Sequence, residues 1–262
     1  MAHLLGNGLI SNTQYGFIAG RSTSLQLLHM LDRWTEYLEY GGQIDVMYSD
    51  FEKAFDKVPH ARLLSKLYSY GISNTVIKWI QDFLTGRRYR VRVKLSYSLW
   101  SWVTSGIPQG SVLGPLLFLI FINDLIECCA AHSEIYLFAD DAKLFQHILN
   151  DSDRQSLQEG INELHEWTQR WLLKLNISKC KVISFGRHVD KFHMYNFTNN
   201  DLVTPIERVE TITDLGILMD EKLSFKEHIH NKINKAYAML GLIKRNFTYL
   251  TTSSFILLYK NG

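Results

Sequence analysis

The chain has 262 residues, 46% of them hydrophobic and 21% charged, with a formal net charge of +2. That composition excludes an intrinsically disordered chain and is enough for the core of one large domain. The weakly basic balance permits nucleic-acid binding without demanding it, so local patches carry more information than the total. The three cysteines, Cys128, Cys129 and Cys180, form no CxxC or Cys/His zinc spacing, which points to a reduced, intracellular chain without a structural metal, in nucleus or cytoplasm. No secretory signal pattern opens the sequence. The longest apolar run, Val112 to Ile122, contains Gly114 and Pro115 and is too short to span a membrane.

In chain order, the first strong pattern is Ser24 to Tyr40, where Leu25, Leu28, Leu31, Trp34 and Leu38 recur at helical spacing. Ser22 to Ser24 supply caps and Gly41-Gly42 a stop. "QIDVMYSD", Gln43 to Asp50, alternates as a half-buried strand with Asp50 at its end. After a turn through "FEKAFDKVPH", a helical pattern runs from Leu63 to Leu84. "RYRVRVKL", Arg88 to Leu95, reads as a strand with Arg88, Arg90, Arg92 and Lys94 on one face. Those cations suit a phosphate backbone, and a solvated edge strand accounts for them equally well. A Gly/Pro-marked loop, "SGIPQGS", leads into a buried helix after Pro115. Glu134 to Ile148 reads as two short strands joined at Asp140-Asp141. Ser152 to Leu175 is a long amphipathic helix in which Ser152-x-x-Gln155 forms a capping box. Lys179 to Gly186 reads as strand and turn, and a polar loop extends to about Glu207. From Phe225 the tail is helical and basic, through Lys226, Lys232, Lys235, Lys244 and Arg245. Helices mixed with short strands indicate an α+β fold.

Asp50, Asp140 and Asp141 are the chemically suggestive positions. Neighbouring carboxylates in an apolar hairpin repel each other and lose hydration. A divalent cation reverses that cost, because Mg²⁺ takes one or two carboxylates and leaves room for substrate phosphates. The ordinary alternative is a hairpin turn, where aspartate is common, and the pair alone does not decide between them.

Six segments in succession do. "QYGFIAGRST" (Gln14 to Thr23), "DFEKAFDKVPH" (Asp50 to His60), "SGIPQGSVLGPLLFLIFINDL" (Ser105 to Leu125), "FADD" (Phe138 to Asp141), "LNISKCKVISF" (Leu175 to Phe185) and "DLGILMDEKLSFKEHI" (Asp214 to Ile229) resemble, in order, the motifs of the reverse transcriptases of non-LTR (LINE-type) retrotransposons. The resemblance implies a right-hand polymerase fold. Residues 43–60 and 105–224 would form the palm, 1–42 and about 61–104 partial fingers, and 225–262 the start of a thumb. It implies RNA-directed DNA synthesis with Mg²⁺ as cofactor, Mn²⁺ as the alternative ion, and an RNA template, a DNA primer and deoxynucleoside triphosphates as partners. Asp50, the Phe51 carbonyl, Asp140 and Asp141 would be catalytic and metal-binding. Phe55 would exclude a ribose 2′-OH, the atom that separates RNA from DNA. Gln109 and Gly110 would lie by the incoming nucleotide, with Gly106 and Gly110 allowing close backbone approach. Lys179 would face the triphosphate, and Leu215-Gly216 would form the primer-grip turn. "FADD" stands where the family more often has "YADD". The basic fingers strands that precede "QYGF" in the family are missing and the tail stops within a helical pattern. A fragment of a longer polyprotein is therefore expected. The rival readings are a group II intron-type maturase and a truncated, inactive remnant that binds nucleic acid.

Overall fold

A computed structural model of the chain describes residues 2–199, 202–247, 249 and 251–261. They divide into two units, Met1–Val209 and Glu210–Gly262.

The first unit is built on the strand β1 (Gln43–Ser49), and the elements before it are a short helix, α1 (Ala2–Gly6), and α2 (Thr23–Glu39). The Ser22 side chain caps α2 by accepting from the Leu25 amide at 3.2 Å. The helix buries Leu27, Met30 and Trp34, while Leu25 and Leu28 are exposed. The expected stripe was therefore rotated: two overlapping apolar stripes share Trp34, and the one on Leu27 and Met30 faces the sheet. There the Trp34 ring packs at 4.8 Å on Phe185 and 5.7 Å on Phe145.

β1 is buried on both faces rather than half-buried, because it lies mid-sheet. Its Asp45 is wholly buried and accepts from Gln43 Nε2, Ser184 Oγ and Tyr195 Oη at 2.5–2.7 Å. Three helices follow, α3 (Ala54–Lys57), α4 (His60–Ser69) and α5 (Asn74–Leu84). The single helical pattern expected over Leu63–Leu84 is thus split, at Gly71, whose φ of +71° helices do not accommodate.

The expected strand Arg88–Leu95 is not continuous. It is one side of a hairpin of two-residue strands, β2 (Arg88–Tyr89), β3 (Arg92–Val93), β4 (Ser96–Tyr97) and β5 (Ser101–Trp102). Arg88 pairs with Trp102 and Arg92 with Tyr97, and Lys94 turns the chain at φ +54°. Between the two pairs the Val91 amide is taken by Ser98 Oγ, which interrupts the ladder.

Next come α6 (Gly114–Ile122), buried all round from Leu117 onward, and α7 (Asp124–Cys129). β6 (Glu134–Phe138) and β7 (Asp141–Ile148) form the expected hairpin, and α8 (Asp151–Trp171) crosses the sheet. The capping box of α8 is Asn150 with Asp153, not Ser152 with Gln155, since the N-cap lies two residues earlier than the spacing indicated. After a 3₁₀ turn at Ile177–Lys179 comes β8 (Lys181–Phe185). The stretch expected as loop up to Glu207 contains a hairpin, β9 (Asn196–Asn199) with β10 (Leu202–Pro205), and then β11 (Glu207–Arg208).

The main sheet has the order β11-β8-β1-β7-β6, antiparallel except for β11 on β8. α2 covers one face. α6, α7 and α8 cover the other, where Met47, Leu144 and Val182 meet Phe121, Leu164 and Trp167 in a continuous apolar core. One cation lies at the edge of that core. Lys66, only 3% exposed, pairs with Asp124 at 2.5 Å, donates to the Phe121 carbonyl and lies 3.7 Å from the Trp171 ring. Of the cysteines, Cys129 and Cys180 are buried and Cys128 is only partly so, with its thiol toward Glu163.

The second unit holds the hairpin β12 (Thr211–Asp214) and β13 (Ile217–Asp220), then α9 (Lys226–Asn246) and α10 (Thr252–Asn261). The unit boundary falls ahead of Phe225 because β12 and β13 pair only with each other. No helix of the described residues is long and apolar enough to cross a membrane.

Candidate active site

Asp50 is the residue at which β1 ends. The register sets Ser49 opposite Ala142, so Asp50 emerges beside the β6–β7 turn. Its backbone is pinned from the other side. The Asn176 amide donates to the Asp50 carbonyl and the Glu52 amide to the Lys174 carbonyl, both at 2.8 Å. Phe51 forms an isolated bridge with Leu175, and neither of these bonds takes the Phe51 carbonyl.

Asp140 occupies the tight turn between β6 and β7, where Phe138 pairs with Asp141 and Ala139 adopts φ +57°. Burial holds the Asp140 carboxyl above the usual aspartate range, opposed by a backbone hydrogen bond, and the Asp50 charge raises it further. The two carboxylates therefore lie within each other's field. Lys179, in the 3₁₀ turn, places its ammonium 3.8 Å from Asp50 Oδ2, a loose and largely exposed pair worth little by itself. Asp141 opens β7 with an exposed side chain. Among the described residues no three His, Cys, Asp or Glu side chains gather into a metal-holding group. Thus Asp50 and Asp140 come together, while the three carboxylates do not form one cluster. Two carboxylates within each other's field fit an ion such as Mg²⁺, which takes one or two carboxylates and keeps its other positions for water or phosphate.

The turn is braced by residues to which the sequence reading gave no role. Gln14 is fully buried, and its Oε1 accepts from the Gly16 amide at 2.7 Å and the Ala139 amide at 3.1 Å. The Tyr15 amide donates to the Leu137 carbonyl at 2.7 Å, and Gln26 Nε2 donates to the same oxygen at 3.0 Å. A Cβ on residue 16 would lie 2.3 Å from the Ala139 nitrogen, so only glycine fits there. "QYGF" carries this role in its glutamine and glycine, a signal that could have been read as a demand for close backbone approach.

A second wall comes from two loops zipped together. The Ile107 amide donates to the Phe55 carbonyl and the Gly106 amide to the Val58 carbonyl, each at 2.8 Å. Ser105 Oγ donates to the Asp56 carbonyl at 3.0 Å, and His60 Nε2 to the Gly106 carbonyl at 2.9 Å. A Cβ at residue 106 would be 2.6 Å from the Asp56 oxygen, which accounts for that glycine. Gly110 differs: nothing lies within 4 Å of its Cβ position, and its φ of +76° is what favours glycine. Phe55 is half-buried, stacked at 4.3 Å on Phe118 and edge-on to Phe17 at 6.2 Å. The exposed Gln109 side chain donates to Asp56 Oδ1 at 2.9 Å. In the second unit, Leu215 and Gly216, at φ +45° and +88°, form the two-residue turn between β12 and β13.

The fold has solved counterparts. Apo telomerase from Candida tropicalis, truncated from its C-terminal domain, superposes with a TM-score of 0.56 over 82% of this chain and 40% of its own, at 11% identity. Telomerase from the same species in complex with the TWJ fragment of telomeric RNA gives 0.55, with 99% and 44% covered, at 13% identity. At these identities the likeness is one of fold alone.

Residues 2–250 match the family of reverse transcriptases (RNA-dependent DNA polymerases), and the chain belongs to that family. Among curated relatives, the "Probable RNA-directed DNA polymerase from transposon BS" of Drosophila melanogaster is 30% identical over 90% of this chain and 26% of its own length. The RNA-directed DNA polymerase from mobile element jockey of Drosophila funebris is 30% identical over 84% of this chain and 24% of its own. The Pol polyprotein from the type-1 retrotransposable element R1 of Bradysia coprophila is 27% identical over 90% and 23%. The chain spans about a quarter of the length of these relatives.

Proposed function

We propose that this chain is the palm, with partial fingers and the start of a thumb, of an RNA-directed DNA polymerase encoded by a non-LTR retrotransposon. The observation that carries the reading is the placement of Asp50, just past the end of β1, beside the β6–β7 turn that carries Asp140, in a chain that matches the reverse transcriptase family over residues 2–250.

The reaction is attack of a primer 3′-OH on the α-phosphate of a deoxynucleoside triphosphate, directed by an RNA template. Asp50 and Asp140, with the Phe51 carbonyl and the neighbouring Asp141, are the groups that would hold Mg²⁺ or Mn²⁺. When bound, such ions stabilise the charge on the attacking and leaving oxygens. The remaining tasks are positional and electrostatic. Lys179 is close enough to Asp50 to share its substrate and offers a positive charge, and a proton, to the departing pyrophosphate. Phe55, held between Phe118 and Phe17, presents a rigid ring that fills the space a 2′-OH would need. Gln109 and Gly110 contact the nucleotide from a loop fixed to Asp56. Leu215 and Gly216 support the primer, and Arg88, Arg90, Arg92 and Lys94 contact nucleic acid.

The test is primer extension on an RNA template with Mg²⁺ or Mn²⁺, using the chain as it stands and within its longer parent. Asp140→Asn in each should reduce DNA synthesis at least 100-fold. Equal synthesis by the asparagine variant would end the assignment.

A further inference from the structure

The hairpin from β2 to β5 carries an arrangement that neither the active site nor the fold requires. Its arginines do not stand on an open face. They alternate with aromatic rings across the hairpin. Arg88 lies over Trp102 at 5.1 Å and Trp100 at 5.9 Å; Arg90 lies over Trp100 at 4.7 Å and Tyr97 at 3.9 Å; Arg92 lies over Tyr97 at 5.5 Å. In space the order is Trp102, Arg88, Trp100, Arg90, Tyr97, Arg92, a ladder of alternating rings and guanidinium planes. The rings are half or more exposed, with Trp102 at 63% and Trp100 at 56%. From Phe83 to Asn123 the sequence contains no aspartate or glutamate, while Arg87, Arg88, Arg90, Arg92 and Lys94 all fall within it.

Cation–π contacts stiffen a two-stranded hairpin that would otherwise be marginal in water. They do not explain why large rings stay exposed, or why the segment carries five cations and no carboxylate of its own. We propose that this ladder is a platform for unpaired RNA, with guanidinium groups on phosphates and the indole and phenol rings stacked on bases. Charge complementarity selects a polyanion, and the ring faces select a single strand, since a duplex hides its base faces. The root of the hairpin adds direction. Arg87 donates through Nη2 to the Gly106 carbonyl at 3.1 Å and through Nε to the Leu84 carbonyl at 2.9 Å. Its own carbonyl accepts from the Val103 amide at 2.9 Å. The platform is thereby fixed to the loop that carries Gln109. In a template-copying reaction the unpaired strand at that loop is the template ahead of the primer end, so this assignment rests on the polymerase reading.

The experiment measures fluorescence anisotropy of the full chain with a labelled 12-nucleotide single-stranded RNA and with a blunt RNA–DNA hybrid of the same length, without metal or nucleotide. Trp100→Ala/Trp102→Ala should weaken single-strand binding about tenfold or more and hybrid binding less than twofold. Arg88→Gln/Arg90→Gln should lower the slope of log K against log salt. Leu99→Ala, in the same hairpin at 90% exposure and off the ladder, should bind as the parent does and controls for loss of the hairpin itself. Unchanged single-strand binding by the tryptophan variant would overturn the proposal. So would equal loss on both ligands, or preference for phosphatidylserine vesicles over RNA. Failure of the polymerase reading is registered separately by extension with Asp140→Asn, because the binding arm involves no catalysis.

Discussion

At the scale of single residues, the β6–β7 turn is held by a glutamine and a glycine. Gly16→Ala would drive a methyl group into the Ala139 backbone, where no flexible side chain can yield. The expected cost is at least about 2 kcal/mol, seen as a lowered urea midpoint, together with loss of primer extension. Gln14→Ala would leave the buried Gly16 and Ala139 amides without their acceptor and should cost about 1–3 kcal/mol. Phe55→Val keeps an apolar contact with Phe118 but removes the ring. Ribonucleotide incorporation should rise relative to deoxynucleotide, and an unchanged ratio would remove Phe55 as the discriminating group. Asp50 and Asp140 stand out in the sequence as carboxylates at the ends of apolar segments, but that pattern alone does not separate a metal site from a hairpin turn; the six ordered segments that resemble reverse transcriptase motifs supply the assignment. The glycine of "QYGF" signals a close backbone approach but not its partner, because Ala139 lies 125 residues beyond Gln14, next to the edge strand that Gln14 bridges at Leu137.

At the scale of elements, local periodicity located most helices and the β6–β7 hairpin, whose partners are adjacent in sequence. It misjudged elements defined by something non-local. The apolar stripe of α2 was ambiguous until Phe145 and Phe185 chose Trp34, Met30 and Leu27. The alternation in "RYRVRVKL" was real, but Val91 and Ser98 interrupt its ladder and Trp100 and Trp102 return from beyond the turn to cover it. The β9–β10 pair was missed because its strands are only four residues each and their apolar residues, Phe197, Leu202, Val203 and Pro205, do not alternate as in a half-buried strand. The N-terminus of α8 offers a clean check. Asn150→Ala removes the oxygen that accepts from the Ser152 and Asp153 amides, and should cost about 1 kcal/mol of unfolding free energy. Gln155→Ala should stay within about 0.5 kcal/mol, and the reverse order would restore the box read from sequence.

At the scale of the whole molecule, Lys66 ties α4 to the α6–α8 layer, and burial pushes its ammonium down to about 8 despite Asp124. Folded, it releases its proton near that value; unfolded, near 10.5. Between the two the unfolded chain binds more protons, so this group adds stability as pH rises through the window, roughly 3 kcal/mol in all, and is a constant cost below it. Urea unfolding at pH 7.5 and pH 10 should therefore favour the parent over Lys66→Met more at the higher pH. A constant difference between them would mean that Lys66 stays charged. A longer-range consequence follows from the placement of β1. It is the first strand of the main sheet to be made, and its neighbours β7 (from Asp141) and β8 (from Lys181) come far later in the chain than its own end at Ser49. At a synthesis rate of about 5–20 residues per second, the nascent chain carries a bare apolar strand with two open edges for many seconds. That interval is a window for misassociation, and chaperone dependence during translation should exceed what the finished fold's stability suggests.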